Sequence, residues 1–154
     1  MLVLSDVLRW VAAASLGLYA GTMLAEAGVL VPFWRELPPG DFLRWYAANT
    51  KRLNGFFGIF TVAGVLSALL AAATSLWTGH PGRLWAAAAA VVMTGLLAGY
   101  FVYFEEANAS FARATIAPAE VPAALARWQL WHNVRTVLSV LAFVAALLAA
   151  RATP

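Results

Sequence analysis

The chain has 154 residues, of which 63% are apolar and 11% are charged, and its formal net charge at pH 7 is +3. Soluble domains are roughly 45–50% apolar and about 25% charged, so this composition excludes an ordinary soluble domain and indicates a protein that sits in lipid. The basic residues form no run, which argues against a nucleic-acid partner, and the lack of cysteine excludes disulfides and thiolate metal sites.

Four apolar segments follow one another along the chain, separated by short polar or proline- and glycine-rich breaks. A membrane-spanning helix needs about 20 apolar residues, so the sequence predicts four spans joined by short loops. The expected spans are residues 8–33, 53–77, 84–104 and 132–151. Because short connections make successive helices antiparallel, we predict an all-α integral membrane protein. Residues 1–154 are expected to form a single transmembrane up-down-up-down four-helix bundle.

Small residues recur at a four-residue spacing in two of the segments. Gly17, Gly21 and Ala25 follow this spacing in the first segment, and Gly95 and Gly99 follow it in the third. Such spacing is typical of membrane helices whose backbones approach each other closely. We therefore interpret these residues as packing positions without a chemical role.

The predicted topology sorts the polar residues into two ends of the bundle. The N-terminus, the turn around His80 and the C-terminus share one end, which we call the plain end. The bends near residues 37–40 and 113–120 lie at the other end, which we call the polar end. The polar end holds seven of the Lys and Arg residues and the plain end holds three. The positive-inside rule therefore predicts that the polar end is cytoplasmic.

Ionisable residues near the polar end are expected to meet inside the bundle. Charges within a membrane are costly, and they usually pair, face the interior and mark a functional site. The first bend is separated by similar numbers of residues from Glu26 on one side and from Lys51, Arg52 and Asn54 on the other. We therefore expect Glu26 to pair with Lys51 or Arg52 across the first helix hairpin.

The fourth segment carries polar and aromatic residues spaced i, i+3, i+4 and i+7, namely Trp128, Trp131, His132 and Arg135. This spacing places them on one face of a helix. Tyr103 and Asn108 approach the same bend from the third segment, provided that its helix persists through Asn108. Together these residues predict a pocket for a flat, partly polar molecule.

Each of these residues also has a purely structural interpretation. Trp and Tyr side chains collect at membrane interfaces as anchors, and a single buried His can serve a helix–helix hydrogen bond. A metal or haem site is a further alternative, with Glu26, Glu106 and His132 as its conditional ligands. The Glu-x-x-His pairs of di-iron bundles are missing from the sequence, so no cofactor is predicted.

The run from Trp128 to Thr136, which reads Trp-x-x-Trp-His-Asn-Val-Arg-Thr, resembles the closing-helix signature of the anthrone oxygenase-like family of small four-helix integral membrane proteins. That family also resembles this chain in the polar segment Glu105–Asn108 after the third span, and in the proline-rich first bend with Asn49 and Asn54 beyond it. The resemblance extends in layout over nearly the whole chain.

The resemblance implies an oxygenase that uses O2, without a cofactor, to oxidise a flat hydrophobic molecule such as an anthrone or a quinol. His132 would be the base, because imidazole is the side chain that titrates nearest neutral pH. Arg135, with an Asn, would stabilise the enolate oxygen, and Glu26 completes the catalytic candidates. The candidate substrate-binding residues are Trp128, Trp131, Tyr103, Asn108, Asn54 and Lys51.

Two other classes of protein are compatible with the same residues. One is a metal- or haem-dependent membrane redox protein, and the other is a non-catalytic small membrane subunit. The expected partners are the lipid bilayer and a hydrophobic small-molecule substrate, with homo-oligomerisation left open and no nucleic acid expected.

Overall fold

The computed structural model describes residues 2–152, and within them every regular element is helical. Four helices are long and apolar enough to cross a membrane, so the chain is a multi-pass integral membrane protein. We call them the first to fourth spans, in chain order: Leu4–Glu36, Pro39–Trp77, Arg83–Ala112 and Pro118–Arg151. The predicted all-helical membrane fold is confirmed.

Helices that are neighbours in sequence are also neighbours in the bundle. The first span packs against the second, the second against the third and the third against the fourth, which closes on the first. This is the up-down-up-down arrangement predicted from the short connections. At the polar end, the helices extend beyond the apolar segments that were recognised in the sequence. The second begins at Pro39, where its earliest turns place Phe42 and Tyr46 in the core.

Two spans contain a π-helical turn, which the sequence analysis did not foresee. These turns are Glu26–Leu30 in the first span and Tyr100–Phe104 in the third. A π-helical turn holds one extra residue, so it rotates every side chain that follows relative to a regular helix. Such turns occur frequently at functional sites. Here both lie beside the buried polar residues described below.

The core has two parts of different composition. Small and flexible side chains such as Ala13, Ala89, Met93 and Ala142 fill the half toward the plain end. Aromatic side chains fill the half toward the polar end, including Trp34, Phe42, Tyr46, Phe104, Phe111 and Trp128. Trp34 contacts the rings of Phe42, Tyr46 and Trp128, mostly edge to face, a geometry that aromatic quadrupoles favour. The aromatic half of the core holds the Trp128 ring in position, and the residues of the candidate site pack against this ring.

The packing role assigned to the spaced glycines holds only in part. A Cβ on Gly17 would lie 2.9 Å from the Phe143 ring, so this glycine does serve close packing. Nothing lies within 4 Å of the Cβ position at Gly21, Gly95 or Gly99. For these three residues the prediction was wrong, because they face open space outside the helix contacts.

Gly82, in the turn before the third span, has no room for a side chain. A Cβ there would lie 2.5 Å from the carbonyl oxygen of Ala149 and 2.9 Å from its Cα. These are backbone atoms of the fourth span and cannot rotate away. We therefore expect Gly82→Ala to lower the free energy of unfolding by about 1–3 kcal/mol, measured by denaturant titration in detergent. Gly95→Ala is the matched control and should be neutral, so equal losses in the two variants would contradict the packing argument.

His80 makes the same turn sensitive to pH. It is buried, and its Nδ1 accepts a hydrogen bond of 3.0 Å from the Gly82 amide. Burial, followed by the positive charge of Arg9, lowers the pKa of His80, while Asp6 opposes the shift. The unfolded chain therefore takes up a proton at a higher pH than the folded chain does. Stability contributed by the neutral imidazole is present above the ordinary His pKa and is lost as the pH falls below it.

His80→Asn removes this titration and keeps a side-chain acceptor near the Gly82 amide. Between about pH 7.5 and about pH 5.5, the window around the ordinary His pKa, we expect the Tm of the variant to fall less than that of the unsubstituted protein. All other residues are the same in the two proteins, so their contributions cancel in the comparison. If the Tm of the two proteins fell equally with pH, His80 would not be the source of the pH dependence of stability.

Candidate active site

Glu26, His132 and Arg135 meet inside the bundle, between the first and fourth spans. Arg135 Nη2 donates hydrogen bonds to Glu26 Oε2 at 3.0 Å and to His132 Nδ1 at 2.8 Å. The fractional exposures of Glu26 and His132 are 5% and 0%. The imidazole and the guanidinium of the fourth span therefore face the interior and not the acyl chains. We call the buried carboxylate and guanidinium the Glu26–Arg135 pair.

The hydrogen bonds of His132 fix its tautomer. Its Nε2 lies 3.1 Å from the Met23 carbonyl oxygen, which can only accept, so Nε2 carries the proton. Its Nδ1 is then the acceptor for Arg135. Both ring nitrogens of this neutral imidazole are thus engaged, and the ring holds the guanidinium in place.

Trp128, on the fourth span itself, and Phe104, on the third span, hold this group in place. The Trp128 ring stacks on the His132 ring with centroids 5.0 Å apart and planes at 17°. Its indole N–H donates to Asn108 Oδ1 at 2.8 Å. The Arg135 guanidinium carbon lies 4.1 Å from the centre of the Phe104 ring, a cation–π contact that stabilises a desolvated cation. Asn108 is helical, as the predicted pocket required.

A cavity of about 260 Å³ lies beside the Glu26–Arg135 pair, and we call it the central cavity. Its wall is mainly aromatic and apolar, with a few polar groups that include Glu26, Asn54, Asn108 and Arg135. The contacts of Glu26 with Arg135 and His132 use Oε2, which leaves Oε1 without a donor among residues 2–152. Arg135 Nε is buried and has no acceptor within the same residues. The cavity wall therefore offers one acceptor, Glu26 Oε1, that the described residues do not use.

Lys51 and Arg52 do not reach Glu26, so the predicted ion pair across the first hairpin was wrong. Both side chains are exposed, and Glu26 pairs with Arg135 instead. The second span presents another stripe to the interior, spaced i, i+4, i+7, i+11 and i+15: Tyr46, Thr50, Leu53, Phe57 and Thr61. Residues 51 and 52 lie off this stripe, since each residue rotates by about 100° around a helix. Asn54 does line the central cavity, whereas Lys51 does not.

Trp131 and Tyr103 stack on each other away from the central cavity. Their ring centroids are 5.3 Å apart with planes at 24°, and Trp131 is 45% exposed. Tyr103 lines a separate surface pocket together with Arg127. The π-helical turn at Tyr100–Phe104 changes the register that regular helical spacing assumed. The proposed roles of Trp131, Tyr103 and Lys51 in substrate binding stay predictions.

The conditional metal ligands are not brought together. The Glu106 side chain is 84% exposed and lies 3.7 Å from Arg113, whereas Glu26 and His132 are buried. Within residues 2–152, no three His, Asp or Glu side chains form a group that could hold a metal ion. The described residues therefore do not assemble the conditional donor set of Glu26, Glu106 and His132.

Two cavity residues on the second span, Tyr46 and Thr61, were missed by the sequence analysis. The signal that could have found them is the helical stripe named above, which carries polar groups among apolar ones. The apolar character of the segment concealed them, because Tyr and Thr also occur in ordinary membrane helices. The cavity thus draws on all four spans.

The comparisons with known proteins add one finding. The sequence model of a family described as anthrone oxygenase matches residues 42–145, more than half of the chain. The matched range includes Asn54, Asn108, Trp128, His132 and Arg135, while Glu26 lies before it. No curated protein and no solved structure matches the chain.

Proposed function

Since the chain belongs to the anthrone oxygenase family, we propose that it is a membrane-embedded oxygenase acting on a flat hydrophobic molecule of the anthrone or quinol type. The observation that supports this proposal most directly is the Glu26–Arg135 pair, buried in the wall of an aromatic cavity. Charges this deep in a membrane protein are usually functional. A proton acceptor beside a fixed cation also matches what the oxidation of an anthrone requires.

The proposed reaction begins with loss of a proton from the ring carbon opposite the carbonyl. The electron pair left behind delocalises onto the carbonyl oxygen and gives an enolate. The enolate carbon reduces O2 and forms a C–O bond, and the resulting peroxide takes up the proton that was removed. The second C–H bond of the same carbon then breaks together with the O–O bond, which forms the carbonyl, and the released hydroxide and proton make water. One oxygen atom of O2 ends in the new quinone carbonyl and the other in water.

Arg135 is the proposed donor to the enolate oxygen. Its guanidinium is held by Glu26, by His132 and by the Phe104 ring, so it needs no reorganisation when negative charge develops. Preorganised donors of this kind are usually the largest contributors to catalysis. The Asn108 side chain is a second candidate donor, because Trp128 binds its oxygen and leaves its amide N–H groups unused by that contact.

Glu26 is the proposed proton acceptor, because its Oε1 has no protein donor among residues 2–152 and its side chain lines the central cavity. His132 does not line this cavity, and both of its nitrogens are engaged by Met23 and Arg135. We therefore propose that His132 positions the guanidinium. Its role as the base stays the competing prediction.

The direct test is conversion of anthrone to the quinone by purified protein in lipid nanodiscs, with O2 uptake followed in parallel. We expect a rate above the spontaneous oxidation of anthrone, unchanged by EDTA. A loss of activity with EDTA would favour the metal-dependent alternative. Wild-type protein that never exceeds the spontaneous rate would contradict the proposal.

We also propose that the polar end faces the cytoplasm. Six basic side chains at that end are exposed, whereas Arg9 at the plain end is buried and leaves Arg83 and Arg151 exposed there. Because the chain lacks cysteine, Thr115→Cys and Pro81→Cys each introduce a unique label at opposite ends. A membrane-impermeant maleimide added to intact cells should modify Pro81→Cys and spare Thr115→Cys, and the reverse pattern would overturn the assignment.

A further inference from the structure

A groove of about 740 Å³ runs along the lipid-facing side of the bundle between the first and second spans. Gly17, Gly21 and Ala25 contribute to one wall, and Phe56 and Phe57 contribute to the other. Nothing lies within 4 Å of the Cβ position at Gly21, so the two spans do not pack against each other at this point. The groove is therefore an open recess in the surface that faces the bilayer.

The groove and the central cavity are lined in part by the same residues. Glu26, Leu53 and Phe57 belong to the walls of both. Glu26 is 5% exposed and bonds to Arg135 through Oε2, so Oε1, in the wall that the two share, has no partner within residues 2–152. The π-helical turn Glu26–Leu30 supplies Val29 and Leu30 to the groove as well. An apolar recess open to lipid thus adjoins the proposed reaction centre, with Glu26, Leu53 and Phe57 between the two spaces.

The sizes of the two spaces indicate what occupies them. Pockets for organic ligands measure roughly 300–1,000 Å³, so the central cavity, at about 260 Å³, lies below this range and the groove lies within it. The groove lining is apolar apart from Thr22, Glu26, Asn49 and Arg52. A ligand of several fused rings would fill both spaces, with its oxygen-bearing edge at the Glu26–Arg135 pair and its apolar body in the groove.

We propose that this groove is the lateral access route and outer binding site for an uncharged, flat aromatic ketone or phenol that reaches Glu26 directly from the bilayer. The proposal rests on the function proposed above, since it concerns the substrate of the same site. Gly21 keeps the groove open, because any larger side chain at this position would project into the recess. An acyl chain of an ordinary lipid is the competing occupant.

Benzophenone is a suitable probe, because it is an aromatic ketone that inserts into nearby C–H bonds on illumination. In nanodiscs, we expect saturable labelling of groove residues such as Leu18, Val29 and Phe56. Anthrone should compete with this labelling. Val91 and Val102 are exposed apolar residues outside the groove, and they should show only weak labelling that anthrone leaves unchanged.

Gly21→Phe should reduce groove labelling by at least about tenfold, the effect of overfilling a binding site. Gly95→Phe, also with nothing within 4 Å of its Cβ position, is the matched control and should label like wild type. If anthrone is oxidised, Gly21→Phe should raise KM and leave kcat nearly unchanged. If Gly21→Phe does not fold, competition by anthrone on the wild-type protein decides the question alone.

Labelling spread evenly over all lipid-facing helices would overturn the proposal. Groove labelling that anthrone cannot displace would also overturn it, since it would assign the recess to lipid acyl chains. Because labelling requires no turnover, the groove is tested independently of catalysis. Displaceable labelling in a protein that oxidises no anthrone would support the groove and refute the proposed function.

Discussion

Replacing Arg135 by methionine should lower kcat/KM for anthrone oxidation by about 10²–10³-fold, the loss typical of removing one preorganised oxyanion donor. Methionine keeps an unbranched apolar chain on the Phe104 ring and removes every N–H donor. The variant should also be less stable by roughly 3–5 kcal/mol, because the carboxylate of Glu26 is then left buried without a partner. Both effects follow from one contact, the 3.0 Å hydrogen bond of the pair.

Two further variants separate catalysis from stability. Arg127→Met removes an exposed guanidinium from the same helix and should change neither property. The double variant Glu26→Gln, Arg135→Met removes both charges and should regain much of the lost stability without regaining activity. Full activity in Arg135→Met, with folding intact, would show that the guanidinium does not bind the developing oxyanion.

Replacing Glu26 by glutamine should lower kcat by about 10²–10⁴-fold, the usual contribution of a positioned general base. Glutamine keeps the shape of the side chain and an oxygen that can accept from Arg135. The Phe104 ring and His132 still contact the guanidinium, so we expect a smaller loss of stability than in Arg135→Met and little change in KM. Steady-state kinetics and thermal unfolding in the same detergent measure these quantities.

His132→Asn is the comparison that decides which residue is the base. Asparagine keeps an oxygen near the position of Nδ1 and can still accept from Arg135, so we expect a loss smaller than that of Glu26→Gln. If His132 were the base, the order would be reversed and Glu26→Gln would retain the larger rate. The ratio of the two rates is therefore more informative than either rate alone.

The sequence predicted the fold well because lipid imposes a strong constraint on it. Only helices and closed barrels satisfy their backbone groups in a bilayer, so four apolar segments with short breaks leave few arrangements. The helical spacing correctly placed Trp128, His132 and Arg135 on an inward face. Trp131, which was expected on the same face, is 45% exposed. Spacing within one regular helix is a local property, which is why it could be predicted.

The contacts between helices could not be predicted in the same way. Glu26 was expected to meet Lys51 or Arg52, yet it bonds to Arg135, because the rotation of each helix about its axis is decided by packing. No pattern of side chains in the sequence predicts the π-helical turn at Glu26–Leu30. The turn at Tyr100–Phe104 likewise altered the register of Tyr103. One extra residue in a turn moves a side chain from one face to another.

The most direct test of the account is oxidation of anthrone under isotopically labelled O2 by wild-type protein and by Glu26→Gln and Arg135→Met. We predict that the wild type forms quinone carrying one labelled oxygen atom, and that both variants fall toward the spontaneous rate while remaining folded. Wild-type product without the label, or undiminished rates in both folded variants, would contradict a reaction centred on the Glu26–Arg135 pair.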